Sequence, residues 1–150
     1  MKGDAKYMIW QDFAIDELKK YLSRQISMLN LEDRIKELNS QLTALTGNSD
    51  SVARSNDHSH IEDKRLNIIV AKDELLQNYK TVKRSLERVN RGLEALDERE
   101  RKVLNSFYIH RTEGYIDRLC DELYAEKSTI YRIKDQALYK FTIAMYGVVD

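Results

Sequence analysis

The sequence predicts an all-α fold, a long antiparallel helical hairpin followed by a C-terminal helix-turn-helix domain. Three observations predict it. Of 150 residues none is proline and only five are glycine, so few positions can end a helix. Apolar residues recur at helical spacing over two long segments. Between those segments lies one stretch rich in Ser, Asn and Asp. The length suits one domain, or a small domain with an extension.

The first segment runs from about Asp4 to Thr46. Leu31, Ile35, Leu38, Leu42 and Leu45 are 4, 3, 4 and 3 residues apart. That spacing draws one stripe along a helix and is also the coiled-coil seam pattern. Upstream, Phe13, Leu18, Tyr21, Leu22, Ile26, Met28 and Leu29 form a broader apolar face, which implies more than one packing neighbour. "TGNSDSVARSNDHSH", Thr46 to His60, reads as a loop over 47–60, with Gly47 as the helix C-cap. His58 and His60, beside Asp57, Glu62 and Asp63, are metal-ligand types. Structural metal sites draw ligands from separated, rigid places, so the reading is a polar loop, with no metal or other cofactor.

The second segment starts near Ile61. Ile61, Ile68, Leu75, Val82, Val89 and Leu96 recur every seven residues, and Tyr79, Leu86 and Leu93 add a second row. Gly92 is expected to weaken or end this helix. Two striped helices joined by one loop make a hairpin over residues 1–95. Apolar surface left over on that hairpin would make a homodimer through the N-terminal helices. Lys80, Lys83, Arg84, Arg88 and Arg91 form a basic stripe interrupted by Glu87. It would track phosphate or an acidic partner, or be a solvated face with pairs such as Glu87 beside Arg91.

Residues 96–150 have shorter helices. Asp97 with Glu100 three residues later is a capping-box start. Val103, Leu104, Phe107 and Tyr108 give that helix its apolar face, and Arg111-Thr112-Glu113-Gly114 breaks it. Helices from Tyr115 to Leu123 and from Ser128 to about Met145 follow. A helix-turn-helix unit buries a fixed set of positions across a short turn. Counted from Ile116, they fall on Leu119, Leu123, Ala125, Ile130 and Ile133, all apolar. Cys120 sits where the two helices come closest, as a small packing residue rather than a nucleophile. In the turn, where positive φ favours glycine, stands Tyr124.

This register turns Lys127, Ser128, Thr129, Tyr131, Arg132 and Asp135 outward and leaves Lys134 and Lys140 where phosphates could be met. Arg can pair with guanine in two bonds, and Ser and Thr can bond to bases or phosphates. Net charge is zero, so nucleic-acid contact needs a local patch. Glu126 to Met145 supplies four basic against two acidic residues. The single cysteine allows no internal disulfide and suggests a reducing, cytoplasmic compartment. No leader-like run and no stretch of about 20 apolar residues suggests a membrane. No Gly-rich phosphate loop, nucleophile elbow or supported carboxylate pair points to an enzyme.

"LDERERKVLNSFY" (Leu96 to Tyr108) and "LCDELYAEKSTIYRIKDQALYKF" (Leu119 to Phe141) together resemble the promoter-reading region four of bacterial sigma factors. Leu96, Arg99, Glu100, Val103 and Leu104 match its opening, with Asp97 in place of the usual proline. Ile130, Ile133, Ala137, Leu138, Lys140 and Phe141 match its end. The preceding hairpin is unlike a sigma factor. With it, the layout resembles phage late-gene transcription regulators of the ArpU and RinA type and related prophage proteins of unassigned function. The resemblance implies a DNA-binding transcription regulator acting in the cytoplasm of a bacterial host cell. Its contacts to double-stranded DNA would come from Lys127, Ser128, Tyr131 and Arg132 by matching position, with Thr129 and Lys134 beside them. Two alternatives stand beside it: a module that binds RNA polymerase, as sigma region four also does, and a coiled-coil interaction protein without sequence-specific DNA binding.

Overall fold

The computed structural model describes residues 2–47 and 55–147, with side chains over 5–46 and 59–147. All regular structure among them is helical: α1 (Lys2–Lys19), α2 (Tyr21–Gly47), α3 (Ser55–Glu94), α4 (Glu98–Leu104), a π-helical turn (Asn105–Ile109), α5 (Tyr115–Leu123) and α6 (Lys127–Tyr146). The helix expected from Asp4 to Thr46 is therefore two helices. Their joint at Lys20 is slight, since Lys20 N–H donates to Asp16 O and Arg24 N–H to Lys20 O. Asp57 and the segment 48–54 lie where no side chain or no backbone is described. The expected loop 47–60 is shorter at its far end, because α3 already begins at Ser55. His58-Ser59-His60 is thus helical, and the side chain of His58 lies outside the described residues.

The chain divides into two compact units, residues 1–24 with 85–150, and residues 25–84. This is not the expected division at 95/96, because α1 packs on α6. Tyr7 lies 5.3 Å from Tyr139, and Trp10 lies 4.9 Å from Tyr146, ring centre to ring centre. Ala14 and Leu18 of α1, Val89 of α3 and Leu138 and Phe141 of α6 share one core cluster. Of the broad apolar face expected near the N-terminus, Leu18 and Tyr21 serve this core, while Phe13, Ile26 and Leu29 are exposed. Gly92, expected to weaken or end α3, does not end it: the helix continues to Glu94. A Cβ at Gly92 would stand 2.7 Å from Cε2 of the fully buried Phe141. Glycine is there for close helix approach, and the surrounding packing keeps the helix intact.

The second cluster of this unit joins Val103, Phe107, Leu119, Ile130 and Ile133. The π-helical turn, closed by His110 N–H to Asn105 O at 2.7 Å, widens the helix after Leu104. It lets Phe107 enter the second cluster while Ile109 packs on the first. The capping box at the start of α4 is complete: Glu100 N–H donates to Asp97 Oδ1 at 2.7 Å, and Asp97 N–H to Glu100 Oε1 at 3.2 Å.

In the other unit, α2 and α3 run antiparallel as the stripes predict. Leu38 and Ile68 are buried, with Leu31, Ile35, Leu42, Leu75 and Val82 half-buried around them. Tyr79 donates to Glu32 at 3.0 Å and Arg65 to the carbonyl of Leu45 at 2.8 Å.

Candidate nucleic-acid interface

The turn between α5 and α6 is three residues, Tyr124-Ala125-Glu126. Tyr124 caps α5 at φ 51°, ψ 46°, the left-handed conformation that the sequence position calls for without supplying glycine. Among the described residues it is the one non-glycine at positive φ. Its side chain is 97% exposed, so the ring gains nothing from packing. The amides of Tyr124 and Ala125 both donate to Cys120 O, closing the end of α5.

Of the five positions expected to be buried, Leu119, Ile130 and Ile133 are buried; Leu123 and Ala125 are half-buried. All five and Cys120 belong to or flank the same cluster. With Ala137, Leu138 and Phe141 also buried, the inner face of α6 is fixed and its outer face follows. Lys127, Ser128, Tyr131, Arg132 and Asp135 are exposed. Thr129 is not outward but half-buried, since it stands beside Ile130 on the flank of the helix.

The lysines are less available than their positions suggest. Lys134 is half-buried, 5.9 Å from the centres of both the Phe107 and Tyr131 rings, and pairs with Asp135 at 2.8 Å. Burial opposes its charge, but the bond to Asp135 and the nearby Tyr108 and Tyr131 raise its pKa above the ordinary lysine value. Lys140 lies 3.0–3.1 Å from the carboxylate of Glu100, which is nearly buried. It pairs with the Glu100 side of the capping box of α4 while its own side chain stays more than half exposed. Lys127 reaches Asp117 at 3.8 Å, both side chains largely exposed, a pairing that solvent weakens. Arg132 has no ion-pair partner among the described residues.

The basic stripe on α3 is exposed throughout, and its expected Glu87–Arg91 pair is not formed among the described residues. A groove of about 280 Å³ lies between α4 and α5, floored by Leu119 and rimmed by Lys102, His110 and Arg118. The pair Lys102–Glu122, at 2.9 Å, joins the two helices beside it. No three His, Cys, Asp or Glu side chains converge as metal ligands among the described residues. No described helix is long and apolar enough to cross a membrane.

These features define an all-α protein made of a helical hairpin and a C-terminal helical unit with a tight turn between its last two helices. By sequence the chain belongs to the family described as "Protein of unknown function (DUF1492)", whose model matches residues 42–142. No curated protein and no solved structure matches it.

Proposed function

We propose that the protein is a phage or prophage DNA-binding transcription regulator. α5 and α6 act as a helix-turn-helix, and the first two turns of α6 enter a major groove. The observation that carries this reading is the division of α6 into two faces. Ile130, Ile133 and Ala137 anchor one, while Lys127, Ser128 and Arg132 stand exposed on the other, with Tyr131 exposed beside them and its ring edge-on to Phe107 at 5.7 Å. Arg132 is the one suited to a bidentate pair with guanine. Lys127 exchanges Asp117 for a phosphate, a trade that favours binding because the existing pair is solvent-screened. Thr129 and Lys134 flank the contact and shape it. The protein acts as a homodimer through its N-terminal helices, in the cytoplasm of the bacterial host.

Selection of bound duplexes from a random pool, followed by mobility shifts at two salt concentrations, tests this. Enrichment of one sequence, with binding that falls steeply as salt rises, is expected. Arg132→Ala should relax specificity at one base pair and cost about 1–3 kcal/mol there. A folded protein that enriches no sequence sinks the reading.

One observation favours a second reading, docking on RNA polymerase. Asp117, Asp121, Glu122, Glu126 and Asp135 surround the face, and acids engage Lys127 and Lys134. Retained polymerase capture by Arg132→Glu, without any DNA binding by the parent chain, would select it.

A further inference from the structure

α3 carries two heptad ladders. The inner one includes Ile68, Leu75, Tyr79 and Val82 and faces α2, as the buried and half-buried positions of that unit require. The outer one runs through Glu62, Leu66, Ile69, Asp73, Leu76, Lys80 and Lys83, spaced 4, 3, 4, 3, 4 and 3. Among the described residues none covers its apolar middle. Leu66, Ile69 and the adjoining Val70 are 59%, 49% and 52% exposed. A groove of about 470 Å³ opens between the side chains of α3 itself, lined by Ile69, Val70, Lys72, Asp73, Glu74 and Leu76. Ile69, Lys72, Asp73 and Leu76 stand at i, i+3, i+4 and i+7, the four corners of the socket that receives one side chain from a facing helix in a coiled coil.

The charges on this ladder say which helix fits. Its N-terminal end is acidic, with Glu62 on the ladder and Asp63 beside it. Its C-terminal end is basic, with Lys80, Lys83 and the neighbouring Arg84. A helix with that polarity complements an antiparallel copy of itself. Laid antiparallel about a two-fold axis near Asp73, Glu62 meets Lys83 of the second copy, Ile69 meets Leu76, and Leu66 lies along the aliphatic stem of Lys80. Every such pair occurs twice, as a two-fold interface demands.

We infer that the outer ladder of α3 is the dimer seam, with the occupant a second copy of this chain docked antiparallel, so that two α2–α3 hairpins close into a four-helix bundle. Asp73, placed at the axis, is the polar position that sets register and holds the dimer loose. This deepens the dimer part of the proposed function and does not depend on its DNA part. A chain that dimerises without binding DNA satisfies it; a chain that binds DNA only as a monomer does not.

Sedimentation equilibrium of the full chain, with helix content followed by circular dichroism, tests the seam. The parent protein should be a dimer in equilibrium with monomer. Ile69→Glu should raise the dissociation constant by at least about tenfold with helix content retained, because it sets a charge into an apolar socket. Asp73→Leu should lower it. Glu62→Lys and Lys83→Glu, both on solvated positions, should each weaken the dimer by about threefold or more, and together restore it. A monomeric parent, an Ile69→Glu dimer of unchanged strength, or a double reversal no better than either single one overturns the inference. The last outcome is what a parallel seam would give.

Discussion

Tyr124 holds a left-handed turn with a β-carbon and an almost wholly solvated ring. The conformation is held by the turn's hydrogen bonds to Cys120 O and by the packing on either side. Left-handed backbone costs a residue with a side chain about 1–2 kcal/mol, part of which glycine returns as chain entropy. Tyr124→Gly should therefore stabilise the protein by roughly 1 kcal/mol, and Tyr124→Val should destabilise it, both read from urea midpoints. Asp97 is a second single-residue device. The Glu100 backbone N–H beside its carboxylate holds its pKa below the ordinary value. A depressed carboxylate contributes stability that is full above about pH 4 and lost as pH falls through the folded value. Asp97→Ala should cost about 1 kcal/mol at neutral pH. Asp97→Asn, which keeps a cap but cannot titrate, should keep most of that stability and flatten the acid limb of the curve. Asp97 and Glu100 were readable from their spacing alone. Lys140 was not, since its partner is forty residues away in sequence.

At the scale of elements, α6 was legible because its inner face repeats at helical spacing and the turn before it imposes a register. The hairpin was legible for the same reason. What periodicity could not show is that α3 passes through Gly92. Glycine in a long apolar pattern reads as an ending, yet here it is the point where Phe141 comes closest. Gly92→Ala gains about 1 kcal/mol of helix propensity but forces a methyl against a buried ring, an overpacking cost of about 1–3 kcal/mol. The net effect should be a loss, larger still for Gly92→Leu, measured by thermal unfolding. The π-helical turn was equally hidden, since Phe107, Tyr108 and Ile109 in a row carry no sign of which core each enters. The outer ladder of α3 was in plain view as a 4, 3, 4, 3 spacing, masked because only three of its seven positions are apolar.

At the scale of the molecule, the sequence placed the division between units where helices become short, at residue 95/96. The structure places α1 in the same unit as α4, α5 and α6. Contacts between residues more than a hundred apart leave no local trace, so a broad apolar face near the N-terminus was the whole of the available signal. The fragment 96–150 lacks Ala14, Leu18 and Val89, which share the core of Leu138 and Phe141. It should unfold without a cooperative transition in calorimetry, whereas the full chain should show one. A test of the proposed DNA binding therefore needs the full chain.

The meeting of α1 with α6 also orders events during synthesis. Residues 25–84 are contiguous, and their hairpin can close once α3 has left the ribosome. α1 emerges before α6 and is satisfied only once α6, with Phe141 and Tyr146, has been made. Until then its Trp10, Leu18 and neighbouring side chains stay available to chaperones, and a stop codon anywhere before α6 yields a product with that surface open.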